Sequence, residues 1–428
     1  MISSAAPASP ALQPGMTRVR WTVCALLFFA TTTNYLDRQV LSILAKTLET
    51  SVGWNSVQYG YITGAFQAAY GLGLLFAGRL IDRLGTRKGF AIAVGLWSMA
   101  AISHAAAVSA LTFGMARAAL GLGEAGNFPA CIKTVAEWFP RKERALATGI
   151  FNSGANIGAV VAPLAVPWMA ATFGWRSAFI ATGALGFLWI VFWLALYAKP
   201  ADSRKVSAQE LAYIQSDPPE REQTVAWARL FPHRETWAFG MAKFITEPIW
   251  WFFLFWFPKY LQETFSLSLK QIVLPTLVVY NICTVGSIGG GWLSSSLLKR
   301  GWTVNAARKT AMLVCALCVV PVIYAPYSKN LWAVVGLVGM ATAAHQGWSA
   351  NVFTMVSDMF PRSAVGSVVG IGSTIGMVGS TLMQIGTGYI VQLAHSYVPM
   401  FIMGGCAYLT ALAVVQLLSP RLTPAKLG

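Results

Sequence analysis

Twelve apolar segments, each about as long as a membrane-spanning helix, limit what this 428-residue chain can fold into. A helix of about 20 apolar residues crosses the hydrocarbon core of a bilayer. The predicted spans cover residues 19–41, 57–78, 89–109, 112–136, 145–170, 176–198, 237–261, 271–296, 309–327, 330–356, 365–392 and 397–419. Only 11% of the residues are charged, against about 25% in a typical soluble domain. We therefore predict an all-α membrane protein with 12 transmembrane helices.

The chain also divides into two similar halves. Glu137-Trp-Phe-Pro-Arg141 follows the fourth predicted span, and Asp358-Met-Phe-Pro-Arg362 follows the tenth, 221 residues later. Duplicated six-helix halves around a site at the membrane midplane are a transporter architecture. We predict a disordered tail at 1–17, a six-helix bundle at 18–198, a central loop at 199–236, a second, pseudo-symmetric six-helix bundle at 237–420 and a short tail at 421–428.

The net charge of +16 has two possible origins, nucleic-acid binding or cytoplasmic loops of a membrane protein. Lys and Arg accumulate in the loops that stay in the cytoplasm. The tails and the even-to-odd loops hold 22 of these residues, and the opposite loops hold five: Lys46, Arg176, Lys259, Lys270 and Lys329. The asymmetry predicts a multi-pass protein of the cell inner membrane with both termini and the 199–236 loop cytoplasmic, and no nucleic-acid partner.

Enzymatic and metal-dependent functions lack their motifs. The chain contains no GxxxxGK[ST] loop, which argues against direct use of ATP. Cys315 and Cys318 form a CxxC, but no second pair and no nearby histidine completes a metal site. We therefore expect no enzymatic activity, no metal and no cofactor.

A glycine-rich basic loop, Gly78-Arg-Leu-Ile-Asp-Arg-Leu-Gly-Thr-Arg-Lys88, lies between the second and third spans. It resembles the signature loop of the major facilitator superfamily. Glycines in it allow close packing and a tight turn, and Asp82 can pair with the other half and latch the cytoplasmic side. The predicted gate residues are Gly78, Asp82, Arg83, Gly85 and Arg87. The alternative is an ordinary positively charged cytoplasmic loop.

Three pairs of charged residues lie inside predicted spans. A charge at the centre of a membrane helix costs at least about 2.5–3.5 kcal/mol, so such residues usually pair and usually have a function. The pairs are Asp37 with Arg38, Arg117 with Glu124 two helical turns later, and Lys243 with Glu247 one turn later. Two acids and two arginines in the first half suit an anion site coupled to protons. The alternatives are a boundary pair reaching water for Asp37 and Arg38, and structural ion pairs for the others.

The segment Asn34-Tyr-Leu-Asp-Arg38, together with Arg117, Glu124 and the Phe-Pro-Arg motif that ends at Arg141, resembles the anion:cation symporter family of that superfamily. Glu247-Pro-Ile-Trp250 and Ala344-His-Gln346 look like its hexuronate transporter branch. The resemblance implies proton-linked acids at Asp37 and Glu124, substrate-binding arginines at Arg38 and Arg117, and aromatic hydroxyls at Tyr35 and Tyr70. The acid at position 37 also brings the chain closer to the aldonate carriers.

Further polar and aromatic residues in the spans are candidates for recognising a sugar acid. They are Asn152 and Asn156, one turn apart, His345 and Gln346, near the depth of Glu124 in the other half, the neighbouring Asn351, and Trp250. Hydrogen bonds between helices are the alternative for the polar residues, and filling of the helix interface is the alternative for Trp250.

The predicted function is proton-coupled import of a sugar-acid anion, a hexuronate such as glucuronate or galacturonate, by a protein working as a monomer in the bilayer. The alternatives are uptake of an aldonate such as galactonate, an aldarate or an aromatic acid, and a non-transporting membrane sensor.

Overall fold

The computed structural model describes residues 16–217 and 227–425, and within these ranges its regular structure is helical. The predicted N-terminal tail lies outside them except for residues 16 and 17. The first half contains α1 (Val19–Ile43), α2 (Ala45–Val52), α3 (Ser56–Leu84), α4 (Thr86–Ser103), α5 (Ala110–Glu124), α6 (Asn127–Trp138), α7 (Arg141–Phe173) and α8 (Trp175–Leu196). The central loop carries the short α9 (Ala208–Ile214). The second half contains α10 (Arg234–Thr264), α11 (Val273–Lys299), α12 (Val304–Val319), which continues as a 3-10 helix (Val320–Tyr327), α13 (Leu331–Met359), α14 (Arg362–Ala394) and α15 (Val398–Leu418).

Every predicted span coincides with a helix or a pair of helices in this arrangement. Within the described ranges, eight helices are long and apolar enough to cross a membrane. The other four predicted spans are α1, α5 with α6, α10 and α13, the first and fourth of each half. Helices α1, α10 and α13 carry buried charged and polar residues that lower their hydropathy, and α5 and α6, with 15 and 12 residues, are each too short to cross a membrane alone. The same positions in both halves therefore depart from a purely apolar span.

The fourth predicted span is not one continuous helix, as the sequence suggested. Helix α5 ends at Glu124, and α6 begins at Asn127 after a short turn. A Cβ on Gly123 would lie 2.7 Å from the backbone nitrogen of Trp97, so only glycine fits where α5 crosses α4. Periodicity alone could not predict this break, because the apolar pattern continues through it. The break places Glu124 at the last turn of α5, next to α1.

The duplication is visible in the backbone. Pro140 is the residue immediately before α7, with φ −64° and ψ 154°, and Pro361 is the residue immediately before α14, with φ −63° and ψ 152°. The preceding Phe139 and Phe360 are both extended, at φ −125° and −124°. Proline fixes φ and suits the start of a helix, so each Phe-Pro pair makes the same turn in its half.

The two halves meet tightly at the end of the bundle away from the N-terminus of α1, which we call the closed end. There α3 crosses α14 at Gly60 and Gly388. A Cβ on Gly388 would lie 2.6 Å from the carbonyl oxygen of Ser56, so the backbones are in contact. With the predicted topology, the closed end faces the outside of the cell.

At the opposite end, α9 of the central loop is docked on the first half. Glu210 is fully buried and accepts hydrogen bonds from the backbone nitrogens of Val19 and Arg20, at 3.1 and 3.2 Å. A carboxylate at a helix N-terminus satisfies free N–H groups and the helix dipole. Arg20 also pairs with Glu210 at 2.9 Å and with Glu143 of α7 at 3.0 Å. The start of the central loop is thus part of the first bundle.

Candidate functional site

A buried cluster of opposite charges lies between α1 and α5 in the first half. Arg38 Nε donates to Glu124 Oε2 at 2.5 Å, and both side chains are almost completely inaccessible. Arg117 Nη2 donates to the carbonyl oxygen of Arg38 at 2.7 Å. The sequence predicted that these residues share a site, but it paired Arg117 with Glu124. In the structure, Glu124 forms an ion pair with Arg38, and Arg117 donates a hydrogen bond to the backbone carbonyl of Arg38.

Aromatic rings surround the Arg38 guanidinium, and one of them comes from the other half. The guanidinium carbon lies 4.6 Å from the ring centroid of Tyr35 and 4.8 Å from that of Tyr70. Trp251 of α10 is 5.6 Å away. Such rings attract a cation electrostatically and exclude water from it. Arg38 therefore sits where the two halves meet, as the prediction of a central site requires.

The cluster retains hydrogen-bonding capacity. Glu124 Oε1 and Arg117 Nε and Nη1 are buried and have no hydrogen-bond partner in the described part of the chain. Buried polar groups are nearly always bonded, so unsatisfied ones need an explanation. The free N–H groups of Arg117 beside Arg38 can donate to an anion such as a carboxylate.

Asp37 points elsewhere. Asp37 is 2% exposed, and among the described residues its carboxylate makes no hydrogen bond of ordinary length. Its neighbour is Thr182 of α8, on the side away from the second half. The sequence grouped Asp37 with Arg38 because they are consecutive, but successive residues of a helix face directions about 100° apart.

The second half contributes a matching cluster on α10 and α13. Lys243 pairs with Glu247, as their spacing predicted. His345 Nδ1 lies 2.6 Å from the hydroxyl of Tyr408 on α15, and Trp250 stacks on the His345 ring at 5.1 Å and 10°. The second half thus supplies one cation, one carboxylate and an aromatic face.

The remaining predicted substrate residues divide into two groups. Asn152 is exposed and Asn156 half-buried on α7, and neither side chain makes a hydrogen bond to the described residues, so both are free for a ligand. Gln346 lies beside Cys283 of α11. Asn351 donates to the carbonyl oxygens of Gly290 and Gly347, at 3.1 and 2.9 Å, which ties α13 to α11. Those bonds favour helix packing for Asn351.

The predicted gate loop forms the turn between α3 and α4. Gly85 has φ +74°, a conformation that glycine adopts readily. The Asp82 carboxylate, at 2.5 Å from Lys133 Nζ, pairs within its own half. Nothing lies within 4 Å of a Cβ built on Gly78, so the expected close packing is not made in this structure. Arg83 and Arg87 are exposed, and Arg87 donates to the carbonyl of Leu194 at 2.5 Å.

A second charged network, at the closed end, was not recognised in the sequence. From the sequence, Lys259 was assigned to a loop. In the structure its side chain is fully buried and pairs with Glu49 of α2 at 3.1 Å and with Glu263 at 3.5 Å. Lys46 contacts the same two carboxylates at 3.3 and 3.6 Å. The i, i+4 spacing of Lys259 and Glu263 was the available signal. These four residues, the closed-end network, join the two halves, and a cavity of about 880 Å³ opens beside them.

Comparisons with known proteins agree on one family. The family model described as Major Facilitator Superfamily matches residues 27–384. The chain is 31% identical to the hexuronate transporter of Escherichia coli K12 over 87% of this chain and 88% of that one. It is 32% identical to a probable galactarate/D-glucarate transporter of Bacillus subtilis 168, over 94% of this chain and 91% of that one.

A solved D-xylose-proton symporter superposes with a TM-score of 0.75 at 13% identity, covering 95% of this chain and 98% of that one. A bacterial homologue of the lysosomal transporter Spinster, in an inward-facing and occupied conformation, gives 0.74 at 18% identity, covering 95% and 98%.

Proposed function

This chain belongs to the major facilitator superfamily and is an organic-acid transporter rather than an enzyme, and on that premise we propose that it imports a hexuronate together with a proton. The observation that carries the proposal is the buried Arg38–Glu124 pair with Arg117 beside it. Relatives named as transporters of hexuronate and galacturonate support the choice of substrate.

The charges of the site link the substrate to the proton. Arg38, Arg117, Asp37 and Glu124 sum to zero when all are ionised, and a buried group of charges that balances costs less than one with a net charge. A substrate carboxylate that binds Arg38 must compete with Glu124. If Glu124 takes up a proton, Arg38 is released to the substrate and the sum returns to zero. One monovalent anion and one proton therefore enter the site together.

The closed-end network supports a conformation that is sealed from the outside. With the predicted cytoplasmic termini in the cell inner membrane, the halves are joined on the outer side, and the gate loop pairs within its own half on the inner side. Alternating access then requires the closed-end network to break while Asp82 exchanges Lys133 for a partner in the second half. The protein performs this cycle as a monomer surrounded by lipid.

Arg38→Lys tests the anchor. Guanidinium makes two parallel bonds to a carboxylate, which an ammonium cannot copy. We expect substrate binding to weaken by about 10- to 150-fold, the equivalent of losing one hydrogen bond to a charged group. Binding is measured by calorimetry on purified protein, with the exposed Arg87→Lys as the control. Affinity within twofold of the wild type would make Arg38 structural and leave Arg117 as the anchor.

An aldarate is the second candidate, and Lys243 favours it. A sugar diacid carries a carboxylate at each end, and the second half offers a cation across the interface from Arg38. The relative named as a probable galactarate/D-glucarate transporter is consistent with this reading. A thermal-shift screen of purified protein decides between the two, since a specific ligand stabilises the folded state. Stabilisation by glucuronate or galacturonate above glucarate and galactarate supports the hexuronate, and the reverse order supports the aldarate.

A further inference from the structure

Four buried polar side chains gather inside the first half, on the side of α1 away from the substrate site. They are Asn34 and Asp37 on α1, Ser98 on α4 and Thr182 on α8, and each is at most 2% exposed. We call them the buried polar cluster. Their side chains present six nitrogen and oxygen atoms, and within the described part of the chain the one contact among them at hydrogen-bonding range is that of the Thr182 hydroxyl with the Asp37 carboxylate, which is longer than an ordinary hydrogen bond.

Helix packing brings these residues together. Thr182 lies beside the Asp37 carboxylate. Asn34 precedes Asp37 by three residues, so the two are neighbours on the surface of α1. A Cβ on Gly186 would lie 1.9 Å from Ser98 Oγ, which places that hydroxyl against α8 one turn from Thr182. At Gly186, α4 therefore packs close enough to α8 for the Ser98 hydroxyl to lie near Thr182.

Leaving these groups unbonded would be costly. Each buried donor or acceptor without a partner costs about 1–3 kcal/mol, and a buried water usually makes about three hydrogen bonds to such groups. The six atoms include both donors and acceptors, because Asn34 presents an NH₂ and an oxygen and the hydroxyls act as either. That mixture matches water. A metal cation is disfavoured because Arg117 acts on Asp37 as a neighbouring positive charge.

We propose that the buried polar cluster binds a small group of water molecules and that the single coupled proton, which Glu124 holds while substrate binds, is exchanged through these waters by way of Asp37, separately from the substrate cavity. This inference rests on the proposed proton coupling. The charged groups that act on Asp37 are Arg117 and Glu124 of α5, and α4 and α8 contribute Ser98 and Thr182. Arg38, next along the chain, is held by Glu124 and faces the second half. Substrate and proton therefore reach α1 from opposite sides.

The test removes the hydroxyls and keeps the shape of the cluster. Thr182→Val combined with Ser98→Ala should slow substrate accumulation driven by a pH gradient by about tenfold, the effect of about 1.4 kcal/mol on a barrier. Counterflow at equal pH should stay within twofold, because exchange needs no proton release. Thr182→Ser keeps a hydroxyl and should accumulate like the wild type. Thr134→Val is the matched control, since that buried hydroxyl bonds only to its own helix, at 2.8 Å.

Each outcome has a defined meaning. Accumulation by the double variant at the wild-type rate, or an equal fall in counterflow, overturns the water route. If the double variant shows no substrate-induced thermal shift, the comparison of Thr182→Val with Thr182→Ser decides instead. Wild-type accumulation that follows a sodium gradient and ignores pH overturns both the inference and the proposed function. If a pH gradient drives accumulation in the wild type and the double variant accumulates substrate at the same rate, the water route is overturned and the proposed function stands.

Discussion

Lys259→Met should open the closed end. Lys259 is the buried centre of the closed-end network, with Glu49 at 3.1 Å and Glu263 at 3.5 Å, and Ser56 Oγ accepts from it at 3.1 Å. Methionine keeps the length of the stem and removes the charge. In the closed state the two carboxylates keep Lys46, whose side chain is 43% exposed, as the remaining cation of the network, and Glu263 keeps the hydrogen bond from the Tyr397 hydroxyl at 2.6 Å. In the open state water surrounds both carboxylates, so removing the charge of Lys259 destabilises the closed state relative to the open state.

The size of the shift follows from the exposure of each lysine. Removing one partner of a buried ion pair costs about 3–5 kcal/mol, and a half-exposed replacement such as Lys46 returns at most about 1 kcal/mol. The net change of about 2–4 kcal/mol is about 30- to 900-fold in the ratio of open to closed molecules. An open state of about 1% would rise to roughly 25–90%.

Electron–electron distance measurements between spin labels at Thr50 and Lys270 report this opening. Both positions are exposed at the closed end, one in each half. We expect one short distance in the wild type and a second, longer one in Lys259→Met. Lys329→Met, an exposed lysine at the same end, is the control and should leave the distribution unchanged. An unaltered distribution in Lys259→Met would refute the role of the network as a gate.

Three further changes test other parts of the account. Glu124→Gln imitates the protonated acid, so it should bind substrate and support counterflow but lose accumulation driven by a pH gradient; full accumulation would remove Glu124 from the coupling. Gly388→Ala places a Cβ 2.6 Å from a backbone oxygen of α3 and should cost the closed state about 1–3 kcal/mol. The same labels would detect this, with Gly386→Ala, which meets nothing within 4 Å, as the control. Glu210→Gln should lower the melting temperature in detergent by loosening α9, whereas the exposed Asp202→Asn should not; equal melting of the two would contradict the docking.

The helical architecture could be predicted because a bilayer imposes a length and a composition on each span. The predicted spans differ from the helices mainly at the ends, and at the turn between Glu124 and Asn127. Next to that turn, Gly123 packs closely against Trp97, a contact between residues that are distant in the sequence. The Phe-Pro repeat was informative because proline determines the local backbone directly.

The residues of the site could be predicted from the sequence, but the ion pairs and hydrogen bonds between them could not. Charges inside spans identified Arg38, Arg117 and Glu124, since such residues are expensive in a membrane. Only the fold shows that Glu124 reaches across to Arg38 on α1, 86 residues away in the chain. Lys259 was missed because it lies near the end of its predicted span, where a lysine can reach water. Its burial results from Glu49 of the other half.

Proton movement measured during substrate uptake tests the central claim most directly. Proteoliposomes containing the wild-type protein are placed in weakly buffered medium at equal pH, and the external pH is followed while the best-stabilising sugar acid is added. Symport predicts that the medium becomes more alkaline as labelled substrate enters, with one proton for each monovalent anion. Uptake of the labelled sugar acid without any change in external pH would contradict the account.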